Sequence, residues 1–310
     1  GIVGAGVAGL MAAEELKELG YADVVVFEAG HRVGGKVCSI PRPEMQRRAM
    51  EGGTVFFVPS PCWTRALVRA GVGGDVVSLP PLRVADVSTG KTYDPLHAPS
   101  PHSTWQRLRE VGRAKSLVGR ARRGLGPAIG PDVPAEHAQP MGAYLAAQNL
   151  EFVREVLLPV AAGAQLGPLA GTVPAVYALR LLAMLDRVGS WRQWTCRMPQ
   201  LVCAHQEPWE ALAARHDVRL GARVVSVERG RTIQVRTRDG RETPVDRLFW
   251  AAPPSDLLSA VDLDEEERAV FSSVRTVARA TMLCRVRGLP RGVCWAPTYG
   301  ADGVPDAHPA

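Results

Sequence analysis

Three glycines, at positions 4, 6 and 9, dominate the start of the chain, which reads GIVGAGVAGLMAAEELKELG. Ile2 and Val3, just before them, are typical of the end of a buried strand. Apolar residues then recur at helical spacing, with charged residues on the opposite face. The apolar set is Leu10, Ala13, Leu16 and Leu19, and the charged set is Glu14, Glu15, Lys17 and Glu18.

A second strand follows this helix. Gly20 is a natural helix stop, and Val24 to Phe27 form a continuous apolar run. Such a run is typical of a parallel strand that is buried on both faces. The opening residues therefore predict a strand–turn–helix–strand unit.

Each glycine of the turn has its own physical role in such a unit. Gly4 permits the tight turn, Gly6 lets the backbone approach a pyrophosphate, and Gly9 lets the helix pack closely on the strand. The pyrophosphate lies at the helix N-terminus, where unpaired N–H groups favour negative charge. Glu28, at the end of the second strand, can accept hydrogen bonds from an adenosine ribose.

The alternative interpretation is a glycine-rich helix turn without a ligand. The pattern G-x-G-x-x-G alone is weak evidence, but within this frame, with a glutamate after the second strand, it is specific. We therefore predict a dinucleotide-binding site.

The next segment indicates which dinucleotide binds. EAGHRVGGKV, from Glu28 to Val37, resembles the E-A-x-x-R-x-G-G-R signature of the flavin-containing amine oxidoreductase superfamily. Arg32, Gly34 and Gly35 match, while Lys36 stands where the family usually has arginine and lacks its bidentate geometry. The resemblance implies that FAD is the cofactor and that this second glycine pair helps to hold its phosphates and ribityl chain.

Two further segments extend the resemblance. Residues 50–54, with Gly53 and Thr54, resemble the family loop that approaches the isoalloxazine ring, although a plain turn is an alternative. Val224 falls where the family places a valine whose backbone meets the adenine. The expected cofactor-binding residues are Gly4, Gly6, Val7, Ala8, Gly9, Glu28, Ala29, Arg32, Gly34, Gly35, Lys36, Val37, Gly53, Thr54 and Val224.

Short strands with hairpin signals occupy residues 218–253. The order of the segments predicts an α/β fold in which a Rossmann-like FAD-binding domain is interrupted by a mixed helical and β substrate domain. We expect residues 1–78 and 205–260 in the FAD-binding domain. Residues 79–204 and 261–310 are expected in the substrate domain.

The expected substrate domain contains a basic helix from Trp105 to Gly126. Its pattern predicts one side with Trp105, Leu108, Val111 and Val118 and places arginines and a lysine over the rest. The simpler interpretation is a solvated surface helix. The alternative is a basic surface that attracts carboxylate-bearing or membrane-derived substrates.

Further helices are predicted over 140–163 and 174–188, either as core or as the lining of an apolar cavity. Here the sequence resembles the polyunsaturated fatty-acid double-bond isomerase flavoproteins, a branch of the superfamily. The matching segments are Val173–Tyr177, the pair Trp191 and Trp194, and Arg47 and Arg48 with Glu51. Tyr177 and Trp194 are candidates for shaping a cavity, and no catalytic residue is assigned.

Three functions remain open at this point. The first is an FAD-dependent oxidoreductase in which a substrate carbon gives a hydride to flavin N5. The second is an FAD-dependent double-bond isomerase that acts on unsaturated fatty acids, and the third is a non-catalytic or truncated flavin-fold binding protein. The substrate of either enzyme would be a small molecule, an amine or an unsaturated fatty acid.

Composition limits the remaining possibilities. A net charge of +6 falls short of the concentrated basic surface of a nucleic-acid binder. Six cysteines without C-x-x-C spacing favour free thiols in the cytoplasm, with no metal site. No apolar run reaches about 18 residues, so no stable membrane insertion is expected.

We expect a few N-terminal residues and the family's C-terminal flavin-closing segment to be absent, because the chain starts inside a strand and stops at Ala310.

Overall fold

The structure is a computed structural model that describes residues 1–45, 49–53, 61–72, 76–78, 82–85, 91–94, 97, 100–124, 133–158, 171–187, 199–201, 204–274, 282–283 and 294–296. The chain divides into two units. The first combines Gly1–Val77 with Gln200–Val286, and the second combines Ser78–Pro199 with Arg287–Ala310.

Short strands and helices occur along the described residues, with several runs of consecutive strands. The strands are β1 (Ile2–Val3), β2 (Val25–Phe27), β3 (Ser39–Pro41), β4 (Ala49–Glu51), β5 (Val76–Ser78), β6 (Leu82–Ala85), β7 (Thr92–Tyr93), β8 (Pro199–Leu201), β9 (Asp217–Arg219), β10 (Val224–Glu228), β11 (Ile233–Thr237), β12 (Glu242–Val245), β13 (Phe249–Trp250) and β14 (Cys294–Ala296). The helices are α1 (Val7–Glu18), α2 (Pro61–Arg69), α3 (Thr104–Gly124), α4 (Ala135–Ala138), α5 (Met141–Ala147), the π-helical α6 (Val153–Leu157), α7 (Ala175–Arg187), α8 (Glu207–Ala213), α9 (Pro254–Ala260) and α10 (Glu265–Ser272), with a 3₁₀ turn at Pro43–Met45.

A four-stranded parallel sheet organises the first unit. Its order is β13-β1-β2-β9, so the first strand of the chain lies between its sequence neighbour and a strand from far downstream. Ile2 pairs with Val26 on one side and with Phe249 on the other. Ile2, Val26 and Phe27 are buried, as expected for strands covered on both faces. The predicted α/β class with a parallel sheet is confirmed.

A smaller antiparallel sheet, in the order β10-β11-β12, follows in the chain. The predicted hairpin signal Asp239-Gly240 lies between its second and third strands. Gly240 has a φ of 85°, a left-handed value that glycine adopts without steric cost. Val235 and Val245 of this sheet bury their side chains together with Phe27 of the parallel sheet.

Helix α1 packs its apolar face against α8. Leu10 and Ala13 form one buried cluster with Trp209 and Leu212, and Trp63 of α2 meets the edge of the Trp209 ring. Because α8 lies almost two hundred residues after α1, this packing joins the two chain segments of the first unit. It also fixes the position of α1 above the parallel sheet.

Glu14 departs from the prediction that it belongs to the charged face of α1. It is 1% exposed, and its Oε1 lies 2.6 Å from Nε2 of His216. Its other oxygen lies 3.3 Å from Nη1 of Arg215. The helical spacing was correct, but the partners come from a turn some two hundred residues later, which local periodicity does not reveal.

Residues 261–286, expected in the second domain, are grouped with the first unit by their contacts. Val261 pairs with Val227 of β10, and Arg229 forms ion pairs with Asp262 and Glu267. The hydrogen bond from Arg229 holds the pKa of Glu267 below its ordinary value. The assignment of a cofactor domain and a substrate domain by function stays a prediction.

The second unit is built around α3, whose buried side differs from the expected one. Val118, from the apolar side that the sequence predicted, is buried together with Ala114, Leu117 and Ala121. Trp105 is 76% exposed and Leu108 is 55% exposed. Apolar residues occur on both sides of this helix, so their spacing alone did not identify the inner one.

The predicted helices 140–163 and 174–188 correspond, within the described residues, to α5, α6 and α7. Met141 and Tyr144 of α5, with Ala175 and Leu179 of α7, pack into the same buried cluster as α3. These residues therefore form core. Within the ranges that the structure describes, no helix is long and apolar enough to cross a membrane.

We predict that His216→Ala lowers the free energy of unfolding by about 3 kcal/mol, because the Glu14 carboxylate stays buried and loses its shorter contact. Urea denaturation of the purified variant measures this. The control is Arg65→Ala, which removes an exposed 3.4 Å ion pair between α2 and Glu15 and should cost less than about 1 kcal/mol. Equal losses for the two variants would contradict the prediction.

Candidate functional site

The first glycine turn connects β1 to α1 in the conformation that the sequence predicted. Gly4 has a φ of 102°, and its N–H donates to the carbonyl of Phe27 at 2.7 Å. Gly6 is the N-cap of α1 and therefore contributes no capping side chain, and the first helical turn contains no acidic residue. The N–H groups of Val7 and Ala8 thus begin the helix without a capping side chain or an acidic residue within its first turn.

Gly9 sets the distance between helix and turn. A Cβ atom at this position would lie 1.9 Å from the carbonyl oxygen of Gly4 and 3.3 Å from Cγ2 of Ile2. No side chain fits there without displacing backbone. The predicted role of Gly9 in close helix–strand packing matches this geometry.

The second glycine pair lies directly against the first turn. The N–H of Gly34 donates to the carbonyl of Ala5 at 2.8 Å, and Gly34 forms a parallel bridge with Gly6. Gly35 has a φ of 58°, and a Cβ on it would lie 3.0 Å from Cα of Gly6. The structure thus brings both glycine motifs together at the N-terminus of α1, backbone against backbone.

Glu28 joins these motifs through both of its carboxylate oxygens. Oε2 accepts from the N–H of Ala5 at 2.8 Å, and Oε1 accepts from the N–H of Gly30 at 2.7 Å. The side chain is half-buried. A carboxylate has about four lone-pair sites, so each oxygen keeps the capacity to accept another hydrogen bond. Ala5 and Gly30 were missed by the sequence analysis, which treated Glu28 only as a ligand contact.

Arg32 and Lys36 behave differently from each other. Arg32 donates to the carbonyls of Val37 and Gly35 at 2.8 Å each, so its guanidinium stabilises the second glycine loop from within. Lys36 is exposed and makes no hydrogen bond or ion pair with the residues in the described ranges. Of the two cations in the signature, Lys36 is the one whose charge remains available.

A third glycine contact adds residues 49–53 to the same region. A Cβ on Gly53 would lie 1.7 Å from the carbonyl oxygen of Lys36, so this position also requires glycine. Thr54 lies outside the described residues, as do Arg47 and Arg48. Of the other predicted positions, Ala29 is exposed and Val37 is buried.

A buried polar network supports these loops and was not predicted. Glu51 accepts from the hydroxyl of Ser39 at 2.7 Å and from the backbone N–H of His205 at 2.9 Å. The side-chain oxygen of Gln206 accepts from the backbone N–H of Ser39, and the backbone N–H of Gln206 donates to the Ser39 hydroxyl. The only sequence signal was the position of Glu51 beside the glycine loop, because its partner His205 lies 154 residues away in the chain.

Val224 lies apart from the glycine motifs in the pattern of hydrogen bonds. It begins β10 and pairs with Thr237 of β11 in the antiparallel sheet. None of the backbone hydrogen bonds in the described parts of the chain joins it to the glycine loops. Tyr177 is exposed on α7, and Trp191 and Trp194 lie outside the described residues.

The comparisons with known proteins agree with this geometry. Residues 7–277 match the family described as Flavin containing amine oxidoreductase. Over 59 residues the chain is 41% identical to tryptophan 2-monooxygenase of Agrobacterium vitis, which is 19% of this chain and 8% of that protein. The enzyme of the same name from Pseudomonas savastanoi is 45% identical over 60 residues, 19% of this chain and 11% of that protein.

Solved structures with the same fold cover most of the chain. A CLA-producing fatty acid isomerase from P. acnes superposes with a TM-score of 0.71 at 24% identity, and a putrescine oxidase bound to putrescine with 0.68 at 20%. Cyclohexylamine oxidase from Brevibacterium oxydans IH-35A gives 0.62 at 19%. Each match covers 87% of this chain and 62% of the other, so the chain spans under two thirds of these proteins.

Gly9→Ala should destabilise the protein by about 3 kcal/mol, because the added methyl group overlaps the Gly4 carbonyl and forces α1 away from the turn. Thermal and urea unfolding measure the change. Gly230→Ala is the matched control, since its nearest atom is 3.5 Å away, and it should stay within about 0.5 kcal/mol of the wild type. A Gly9→Ala variant as stable as this control would refute the packing role.

Proposed function

The chain belongs to the flavin containing amine oxidoreductase family, and from this premise we propose that it acts as an FAD-dependent oxidoreductase on a small-molecule substrate. FAD is the cofactor of this family. The observation that carries the proposal is the meeting of two glycine motifs at the uncapped N-terminus of α1.

The residues of this region fit a dinucleotide. A Cβ on Gly6 would have its nearest protein atom 3.7 Å away, so this glycine is not required by packing within the protein. An open backbone beside a helix N-terminus whose first turn carries no acidic residue is suited to a pyrophosphate, because N–H groups and the helix dipole attract anions. Glycine at position 6 therefore has its explanation in ligand approach.

We assign the following roles to the surrounding residues. Val7, Ala8 and Gly9 would present backbone N–H groups to the pyrophosphate, with Gly4 and Gly6 shaping the turn. Glu28 would accept from ribose hydroxyls with its remaining lone pairs, and the adjacent Ala29 would lie beside the ribose. Lys36 would attract the negatively charged phosphates with its unpaired positive charge.

The remaining assignments rest on the family resemblance, except that of Arg32, which rests on its hydrogen bonds to the loop. Gly34, Gly35 and Val37 would flank the phosphates and ribityl chain, with Arg32 maintaining their loop. Gly53 and Thr54 would border the isoalloxazine ring, and the backbone of Val224 would meet the adenine.

When bound, the flavin supplies the redox chemistry, because its N5 accepts a hydride from a substrate carbon. The chain's own contribution is to bind and orient the cofactor. Arg32, Glu28 and the Ser39–Glu51–His205 network hold the loops before the cofactor arrives, which reduces the ordering cost of binding. No residue in the described part of the chain is assigned to proton or hydride transfer.

Amine oxidation is the reaction we favour. The support is the family together with neighbours whose names state that they oxidise putrescine and cyclohexylamine. A second candidate is double-bond isomerisation of an unsaturated fatty acid. It is favoured by the TM-score of 0.71 with a fatty acid isomerase.

We also propose a cytoplasmic location. The support is the cysteine pattern, six residues without C-x-x-C spacing, together with Cys38 as a free thiol. Fractionation of the source cells tests this.

Gly6→Ala should weaken FAD binding at least about tenfold while leaving unfolding of the cofactor-free protein unchanged. The methyl group meets no protein atom closer than 3.7 Å but occupies the surface that the pyrophosphate approaches. Flavin fluorescence titration gives the affinity, and thermal denaturation of the same sample gives the stability.

Gly230→Ala serves again as the control and should bind FAD like the wild type. Undiminished affinity in Gly6→Ala would reject the assigned pyrophosphate position. A purified wild-type protein that is colourless and takes up no FAD would reject the enzyme proposal and leave the non-catalytic flavin-fold protein.

The two reactions are separated by incubating the FAD-loaded protein with putrescine, cyclohexylamine and linoleate. Oxygen consumption with peroxide release on an amine supports the oxidase. Conjugated-diene absorbance from linoleate without oxygen consumption supports the isomerase instead.

A further inference from the structure

The outward side of α3 carries positive charge without compensating acid. Its exposed side chains include Arg109, Lys115 and Arg120. The single acidic residue of the helix is Glu110. Glu110 faces the other way, because its carboxylate accepts from the backbone N–H groups of Phe152 and Val153. The exposed side is therefore cationic along several helical turns.

Three arginines converge on one groove between α3 and the end of α5. The groove has a volume of about 450 Å³, and its lining includes Arg109, Arg113, Arg120, the hydroxyl-bearing Ser116 and Gln148. Arg113 donates to the carbonyl of Gln148 at 2.5 Å. Arg109 and Arg120 make no hydrogen bond or ion pair with residues in the described ranges. An anion in the groove would relieve the mutual repulsion of these guanidinium groups.

Two large apolar side chains lie on the same side, at the start of the helix. Trp105 is 76% exposed and Leu108 is 55% exposed. Leu108 and Arg109 follow Trp105 by three and four residues, which places all three on one helix face. An exposed tryptophan beside a row of arginines is the combination found in helices that lie in a membrane interface.

A helix that is merely solvated has a different composition. Solvated faces carry charges of both signs, because acidic and basic residues three or four apart stabilise the helix. On α3, Arg109 and Arg113 are four residues apart and repel each other. Arginine also pairs with phosphate through two parallel hydrogen bonds, which suits a phospholipid head group.

We propose that the outer face of α3 binds membrane surfaces that contain anionic phospholipid. A lipid phosphate occupies the groove formed by Arg109, Arg113 and Arg120, while Trp105 and Leu108 enter the head-group region. The protein then lies on the membrane without crossing it. This inference concerns the second unit and is independent of the proposed oxidoreductase activity.

Co-sedimentation of the 310-residue protein with vesicles tests the proposal. We expect binding to phosphatidylcholine vesicles that contain about one third phosphatidylglycerol, and little binding to pure phosphatidylcholine. Binding should fall sharply when the ionic strength is raised to about 1 M, where the screening length is roughly 3 Å. Brominated acyl chains should quench tryptophan fluorescence in the wild type and not in Trp105→Phe.

The double variant Arg109→Glu/Arg120→Glu should bind at least roughly 30-fold more weakly, since each basic residue at an anionic surface contributes on the order of fivefold. The matched control is Arg231→Glu/Arg236→Glu, which makes the same change in net charge at an exposed position of the β10–β11 turn and one of β11, and it should bind like the wild type. Circular dichroism verifies that both variants are folded.

Several results would overturn the proposal. One is equal binding by the two double variants, and another is the absence of binding to phosphatidylglycerol vesicles. A third is saturable binding of inorganic phosphate to the groove with no vesicle binding, which would make it a site for soluble phosphate. Tight binding of RNA that competes with vesicles would assign the face to nucleic acid instead.

Discussion

The first unit depends on the close contact between Gly9 and the carbonyl of Gly4, which leaves no room for a side chain. Because Gly9 has no Cβ, the first turn of α1 rests directly on the carbonyl of Gly4, with only 1.9 Å to where a methyl carbon would be. This contact holds α1 close to the parallel sheet and lets Leu10 and Ala13 reach the core. It also directs the helix N-terminus to the point where Gly34 and Gly35 cross the first turn.

The glycines of the site divide into two groups with different physical reasons. Gly9, Gly35 and Gly53 are required by the folded backbone itself, because a Cβ on each would come within 3.0 Å of another backbone atom. Gly6 has room for a methyl group, and its open backbone is what the proposed pyrophosphate contact requires. Glu28 closes the turn by accepting from two backbone N–H groups, and the ribose contact proposed for it would use the remaining lone pairs of its carboxylate. The fold occurs with oxidases and with an isomerase, so the reaction depends on side chains around this common frame.

Much of this frame was predictable from the sequence, because its determinants are local. The turn at Gly4, the helix that follows it, the buried strand before Glu28 and the hairpin at Gly240 each depend on residues within a short window. The partners of Glu14 and Glu51 were not predictable, since His216 and His205 approach them only after the whole unit has folded. Trp105 was grouped with Val118 on one side of α3, yet Trp105 is exposed and Val118 is buried, because apolar residues occur on both sides of that helix. The hydrogen bonds of Arg32 to its own loop were also not predictable, because the sequence does not show in which direction an arginine side chain extends.

The order of strands in the parallel sheet has a consequence for synthesis. Ile2 of β1 pairs with Phe249 of β13, so β1 leaves the ribosome long before one of its two neighbouring strands has been synthesised. At about 5–20 residues per second, that neighbour follows roughly 12–50 s later. Throughout this interval the nascent chain carries an open strand edge, which is a template for unwanted pairing. A chaperone that shields this edge during translation would protect the nascent chain from such pairing.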